Sequence, residues 1–245
     1  MIRVQDLCFA YEGGSRDAVK EVSFGLQSGG LYLVAGANGS GKSSMLLLLS
    51  GIFLPRKGSI VLGNIVVPGQ EKELRRRTGL LLQEAELQIL GNTVGEDLLL
   101  GADPADGESG RRARRLAERL GLLPLWDTAV DNLSGGEKRK LCLAAILMAD
   151  PQVILYDEPF SGLDYPAVRE LRQIMQDNAD RGATQLVATH DLEPAVDLAR
   201  ELLLMDQGEL IDKGSPAHTL DRVADHGVRP PCLWQREGRL LQGLW

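Results

Sequence analysis

"LYLVAGANGSGKSSMLLLLSGIF", residues 31–53, decides the fold. It opens on an apolar run of strand length, passes through a glycine-rich loop and closes on an apolar run that reads as a buried helix. Between them Gly36-Ala37-Asn38-Gly39-Ser40-Gly41-Lys42-Ser43 fits the pattern G-x-x-x-x-G-K-[ST], with Ser44 following. Glycines let backbone N–H groups turn inward around phosphate, where a Cβ would obstruct them. Lys42 is placed to neutralise β- and γ-phosphate oxygens, and the Ser43 hydroxyl to bind Mg²⁺. The helix that follows adds the positive end of its dipole.

Working outward, "VILYDEP" at 153–159 ends an apolar strand on Asp157-Glu158. Open α/β sheets bind ligands at the C-terminal ends of their strands. An Asp there reaches Mg²⁺ through water, and Glu158 beside it can polarise an attacking water as general base. His190 follows the strand "LVAT", one strand–helix–strand unit later. A lone His is more often structural than catalytic, but if the two strands are neighbours a γ-phosphate contact is within reach. "DNLSGGEKRK" at 131–140 is a second feature suited to an anion: two glycines behind a serine lead straight into a helix. Ser134 suits an N-cap, but a glycine pair costs helix stability and asks for another purpose.

The remaining pattern alternates strands and helices. "IRVQDLCFAY", "VKEVSFGLQ", "SIVLGNIVV" and "TGLLLQ" read as strands, "YPAVRELRQIMQDNADRG" as an amphipathic helix, "TQLVATHD" as a strand and "LEPAVDLARE" as a helix. "LLLMDQGELIDKG" gives two more strands. The fold class is α/β, a mainly parallel sheet around the glycine-rich loop with a helical insertion at roughly 84–149. That insertion is interrupted by "GADPADGESG" and carries Arg111, Arg112, Arg114, Arg115 and Arg119 on one helix face, opposite a stripe of Leu116, Leu120 and Leu123. Such a face is usually solvated. The tail from Pro216, with "RPPCLWQ", suits a small packing extension.

Composition narrows the function. A net charge of −7 argues against a general nucleic-acid binder, which needs surplus Lys and Arg. The start "MIRVQDLCFAY" lacks signal-peptide character, and the apolar stretch "MLLLLSGIFL" is far short of the ~20 residues a membrane span requires. Cys8, Cys142 and Cys232 are too scattered for a disulfide framework or a zinc site, which fits a reducing cytosol.

Taken in order, these residues resemble the ATP-binding subunit of ABC transporters over about residues 2–214. Tyr11 looks like the aromatic residue that stacks on adenine. Gly36, Ala37, Asn38, Gly39, Ser40, Gly41, Lys42, Ser43 and Ser44 resemble the Walker A loop, and Gln83 the Q-loop glutamine that reaches Mg²⁺ and senses the membrane partner. Leu133, Ser134, Gly135, Gly136 and Glu137 are close to the family's signature sequence. Asp157 and Glu158 are similar to the Walker B pair, Ser161, Gly162, Leu163 and Asp164 to the D-loop, and His190 to the switch histidine.

The resemblance implies a P-loop NTPase core over about 1–83 and 150–215, with an N-terminal antiparallel β sub-domain. It implies an α-helical sub-domain at about 84–149 and a short C-terminal extension at 216–245. It implies ATP and Mg²⁺, the metal held by Ser43, Gln83 and, through water, Asp157, with Glu158, His190 and Lys42 catalytic. Two subunits, in a homodimer or a heterodimer with a second ABC ATPase, would pack head to tail so that the signature helix of one caps ATP on the other. The assembly would lie in the cytoplasm, peripheral on the inner face of the cell membrane.

A narrower resemblance lies in "LLQEAELQILGNTVGEDLLLG" at 81–101. Gln83, Gln88, Ile89, Leu90, Thr93, Val94, Glu96 and Asp97 are similar to the energy-coupling-factor ATPases of vitamin and transition-metal importers, while Ala85 and Glu86 replace the expected Pro and Asp. Integral-membrane subunits would dock near 83–101. The alternatives are another ABC importer or exporter ATPase, a non-transport ABC ATPase acting on DNA or ribosomes, and a P-loop kinase or GTPase. "LSGG" and "SGLD" argue against the last.

Overall fold

The computed structural model describes residues 1–14, 16–100 and 107–238. Four strands form an antiparallel sheet: β1 (Ile2–Phe9), β2 (Val19–Leu26), β4 (Lys57–Leu62) and β5 (Ile65–Val67), in the order β2-β1-β4-β5. The stretch "SIVLGNIVV" is thus a hairpin rather than one strand. Six strands form the central sheet: β3 (Gly30–Ala35), β6 (Thr78–Leu81), β7 (Val153–Asp157), β8 (Thr184–Thr189), β9 (Ala199–Asp206) and β10 (Glu209–Gly214), in the order β10-β9-β3-β8-β7-β6. All its pairings are parallel except β9 with β10.

β7 and β8 are buried at every position, as expected of strands covered on both faces. Alternate residues feed two cores. Leu33, Ile154, Tyr156 and Val187 face a cluster with α5 (Gly135–Met148) and α6 (Tyr165–Asp180). Val34, Val153, Leu155 and Leu186 face one with α1 (Lys42–Leu49) and the antiparallel sheet. Register then does the functional placement. Ala35 pairs with Thr189, Asp157 with Ala188 and Leu81 with Tyr156, so the phosphate loop, Asp157-Glu158, His190 and Gln83 leave the sheet at one edge.

The remaining helices are α2 (Glu71–Arg77), α3 (Val94–Leu98), α4 (Gly107–Arg119), α7 (Pro216–Thr219) and α8 (Cys232–Glu237). The break read at 101–110 falls in part outside the described residues. One helix expectation is corrected. "LEPAVDLARE" is not a helix but a single 3-10 turn, Val196–Leu198, running directly into β9. Pairing of that strand with β3 competes with helix there, and Arg172 of α6 fixes the turn by donating to the Pro194 carbonyl and to Asp197 at 2.7 Å. The arginine face of α4 is solvated at Arg111, Arg114 and Arg115, which are exposed, and half-buried at Arg112 and Arg119. Arg111 and Arg115 clasp Glu108, Arg112 donates to the Leu147 carbonyl, Arg119 to Asn178, and Arg114 lies 4.5 Å over the Trp126 ring.

Candidate nucleotide site

Gly36 and Gly41 are demanded by the fold before any ligand arrives. A Cβ at Gly36 would strike Ser40 and the Met205 carbonyl; Gly41, at φ 103°, would drive one into the Ala18 carbonyl. Gly41 is also the N-cap of α1 and offers no side chain, so the first-turn N–H groups carry no side-chain cap. Ser40 Oγ is buried with no hydrogen-bond partner among the described residues. Lys42 folds back over the loop, its Nζ donating to the Gly36 carbonyl at 2.8 Å and the Ala37 carbonyl at 3.2 Å. Burial pushes this ammonium below the ordinary Lys value, with Glu158 and Asp157 opposing the shift. A cradle of uncapped N–H groups, an orphan hydroxyl and a desolvated cation fits a phosphate chain.

Ser43 Oγ donates to Asp157 Oδ1 at 3.0 Å. Burial raises the Asp157 pKa, the neighbouring Glu158 adds to the rise, and the Ser43 hydroxyl and Lys42 oppose it. Hydroxyl and carboxylate oxygens are hard donors of the kind Mg²⁺ prefers. Among the described residues no three His, Cys, Asp or Glu side chains converge as a metal cage. A metal here would lean on few protein oxygens and on the substrate's phosphates, as Mg²⁺ does.

Glu158 is fixed at both oxygens. His190 N and Nδ1 lie 3.0 and 2.9 Å from Oε1, Thr189 Oγ1 donates to Oε2 at 3.0 Å, and Lys42 Nζ lies 3.7 Å from Oε1. Its backbone takes φ 46°, a left-handed conformation that a non-glycine residue adopts only under constraint. Sequence reasoning missed Thr189, whose only signal was its place beside His190.

Tyr11 is half exposed, packs edge-on against Phe9 and Phe53, and shares a 2.9 Å hydrogen bond with Ser44 Oγ. It lines one cleft of about 420 Å³ together with Asn38, Lys42, Ser43, Gln83 and Glu158. A larger cleft of about 860 Å³ lies beside β2 and β10, where Lys20 pairs with Glu209 and Arg56 with Asp17.

The second glycine-rich feature is elsewhere. Ser134 caps α5 through a capping box: its Oγ accepts from Glu137 N at 3.3 Å, and its N donates to Glu137 Oε2 at 2.7 Å. Asp164 caps α6, accepting from Ala167 N at 3.0 Å. Ser134, Gly135, Gly136, Glu137, Gly162, Leu163 and Asp164 line a separate cleft of about 440 Å³ that shares no residue with the first. Yet no crowding within the chain requires the glycines. A Cβ at Gly135 would meet nothing within 4 Å, and one at Gly136 only Ala167 at 3.8 Å.

Two glycine-rich features, built at different places on one chain, are thus in place when the chain is compared with known proteins. The profile described as ABC transporter matches residues 19–161. The chain belongs to the ABC transporter family. It is an ATPase of that family. It is 33% identical to the cobalt import ATP-binding protein CbiO of Rhodobacter capsulatus, over 95% of this chain and 86% of that one. It is 30% identical to the energy-coupling factor transporter ATP-binding protein EcfA1 of Halalkalibacterium halodurans, over 95% and 86%. Its fold superposes on cbiO1 of Clostridium perfringens, described as part of the ABC transporter complex cbiONQ. There the TM-score is 0.81 at 27% identity, covering 97% of this chain and 96% of that one.

Other parts of this ABC ATPase explain residues that the sequence left open. Gln88 braces the end of β6, accepting from Leu82 N at 2.9 Å and donating to the Leu80 carbonyl at 2.8 Å. Asp97 Oδ1 accepts from Leu90 N and Gly91 N, and Thr93 caps α3. Leu87 and Leu90, in the segment that follows Gln83, are 70% and 80% exposed. The segment after Pro216 reaches back to the site: Gly227 packs against Ala37, and Cys232 N donates to Glu193, three residues past His190.

Proposed function

We propose that this ABC ATPase powers a membrane importer of the energy-coupling-factor type, hydrolysing ATP at two sites shared across a head-to-tail dimer. The observation that carries the reading is the glycine pair at 135–136, which has open space and no structural reason within its own chain. A cap alone accounts for Ser134; a ligand approaching from outside would account for the glycines.

In this reading Tyr11 stacks on the base. The N–H groups of residues 38–44, with Lys42, hold the phosphates. Ser43, Gln83 and, through water, Asp157 would hold Mg²⁺, which when bound offsets phosphate charge as a Lewis acid. Glu158 takes the proton of the attacking water, aligned by His190 and Thr189. Ser134 and its glycines, supplied by the other subunit, face the same γ-phosphate, while Ser161–Asp164 lines the seam. Substrate contacted from both sides ties the subunits together, and hydrolysis loosens them. The exposed Leu87 and Leu90 near Gln83 suit a docking surface for integral-membrane subunits at 83–101. In this reading the chain sits peripherally on the inner face of the cell membrane; among the described residues no helix is long and apolar enough to cross one.

The relatives named for cobalt import and as energy-coupling-factor transporter components favour this subgroup. Co-purification of the full chain with its membrane partners, followed by mass spectrometry, tests it. Small integral-membrane binding proteins, with no periplasmic one, support the reading; exporter-type membrane subunits contradict it.

A further inference from the structure

Arg139 sits just past the first turn of α5, beyond the capping box at Ser134, and its half-buried side chain leaves the helix for the loops beside it. Nη1 donates to the Pro159 and Ser161 carbonyls, both at 2.9 Å, and Nη2 to the Gln83 carbonyl at 3.2 Å. Nε is buried and has no hydrogen-bond partner among the described residues.

Each of these carbonyls belongs to chain that has left the sheet. Gln83 lies two residues beyond the end of β6, and Pro159 and Ser161 lie between Glu158 and the N-cap of α6. Backbone there has no ladder to pair with, and the guanidinium supplies the donors: to the Pro159 carbonyl in part-buried surroundings, and to those of Ser161 and Gln83 at the surface. A guanidinium presents several donors in a rigid plane, so it can satisfy carbonyls from two different loops at once; an ammonium is a compact point charge on a flexible stem. One side chain therefore ties together the helix that starts at the signature glycines, the loop of Gln83 and the turn immediately behind Glu158. None of the three can shift alone without breaking a charge-assisted hydrogen bond.

We propose that Arg139 is a positioning residue for hydrolysis. Through its fork on the Gln83, Pro159 and Ser161 carbonyls it keeps the signature helix, the docking-side loop and the Glu158 turn in one register. Displacement of α5 then moves Glu158 out of line with the bound triphosphate and carries Gln83 with it. This rests on the hydrolytic role proposed for Glu158.

Steady-state ATPase measurements on the full chain test it, with Arg139→Gln, Arg139→Lys and Glu158→Gln compared side by side. Arg139→Gln is expected to lower kcat about tenfold while KM for ATP stays within about twofold, because the loss is of alignment and not of binding. Arg139→Lys should fall between this variant and the parent, its ammonium reaching some of the carbonyls without the fork. Amide hydrogen exchange at 83–86 and 159–163 should quicken in Arg139→Gln. If Glu158→Gln abolishes turnover while Arg139→Gln keeps a parent-like kcat, this inference alone is overturned. If Arg139→Gln fails to fold, a parent-like kcat in Arg139→Lys overturns it. Parent-like turnover in Glu158→Gln removes the reading of the site and Arg139's role with it.

Discussion

His190 meets Glu158 twice, with ring Nδ1 2.9 Å and backbone N–H 3.0 Å from the same carboxylate oxygen, while Thr189 holds the other. A carboxylate restrained at both oxygens presents one orientation to an attacking water, which is what a general base requires.

Glu158→Gln keeps the shape and most of these contacts but removes the base. ATP binding should persist while hydrolysis falls ~10²–10⁴-fold. Nucleotide affinity and single-turnover hydrolysis check this together; near-parental turnover takes Glu158 out of the role.

Gly135→Asp should fold normally, because the space where its side chain would begin is empty within the chain. It places a carboxylate where the partner's triphosphate is expected, so the variant should bind ATP at its own loop yet fail to dimerise. Sizing chromatography with ATP reads this out. An unaltered ATP-dependent dimer would contradict it.

The capping box makes the start of α5 sensitive to acid. Hydrogen bonds from the Ser134 side chain and then from its backbone hold Glu137 below the ordinary carboxylate value of 4.5. A depressed carboxylate contributes stability above that value and loses it as pH falls through the lower folded-state value. The Tm of the parent should therefore exceed that of Glu137→Ala near neutral pH, and the gap should close in acid. A gap unchanged at pH ~3 argues against the box as its source.

What was legible in the sequence was what backbone geometry enforces. Residues 36–44 need glycine at fixed spacing, and "VILYDEP" needs an apolar strand ending in acid, so both were readable before their neighbours were known. Parallel register then brought His190 beside Glu158, which spacing allowed without requiring. Residues 192–201 read as helix in the sequence because pairing of β9 with β3 and the grip of Arg172 on Pro194 and Asp197 are long-range. Arg139 sits among charged neighbours at a helix start and reads as a solvated side chain, and its carbonyl partners lie 20 to 56 residues away. The contact of Cys232 N with Glu193 has no sequence signature, since any residue except proline offers a backbone N–H.

Cysteine chemistry gives a test of the core independent of nucleotide. Cys142 Sγ donates to the Ala85 carbonyl at 3.0 Å, and burial pushes its thiol up to about 12. At pH 8 only about one molecule in ten thousand would carry the thiolate. Iodoacetamide should modify exposed Cys232 and spare Cys142 until the protein unfolds, as peptide mass spectrometry would show. Labelling of both at similar rates would mean that this interior opens readily.

The shared seam is tested most directly by the mass of the Glu158→Gln protein in solution with Mg²⁺ and ATP, measured by light scattering. Binding without hydrolysis should trap the sandwich at twice the chain's 26.6 kDa, and removal of nucleotide should return it to 26.6 kDa. A species that holds ATP and stays at 26.6 kDa across micromolar concentrations would contradict the account.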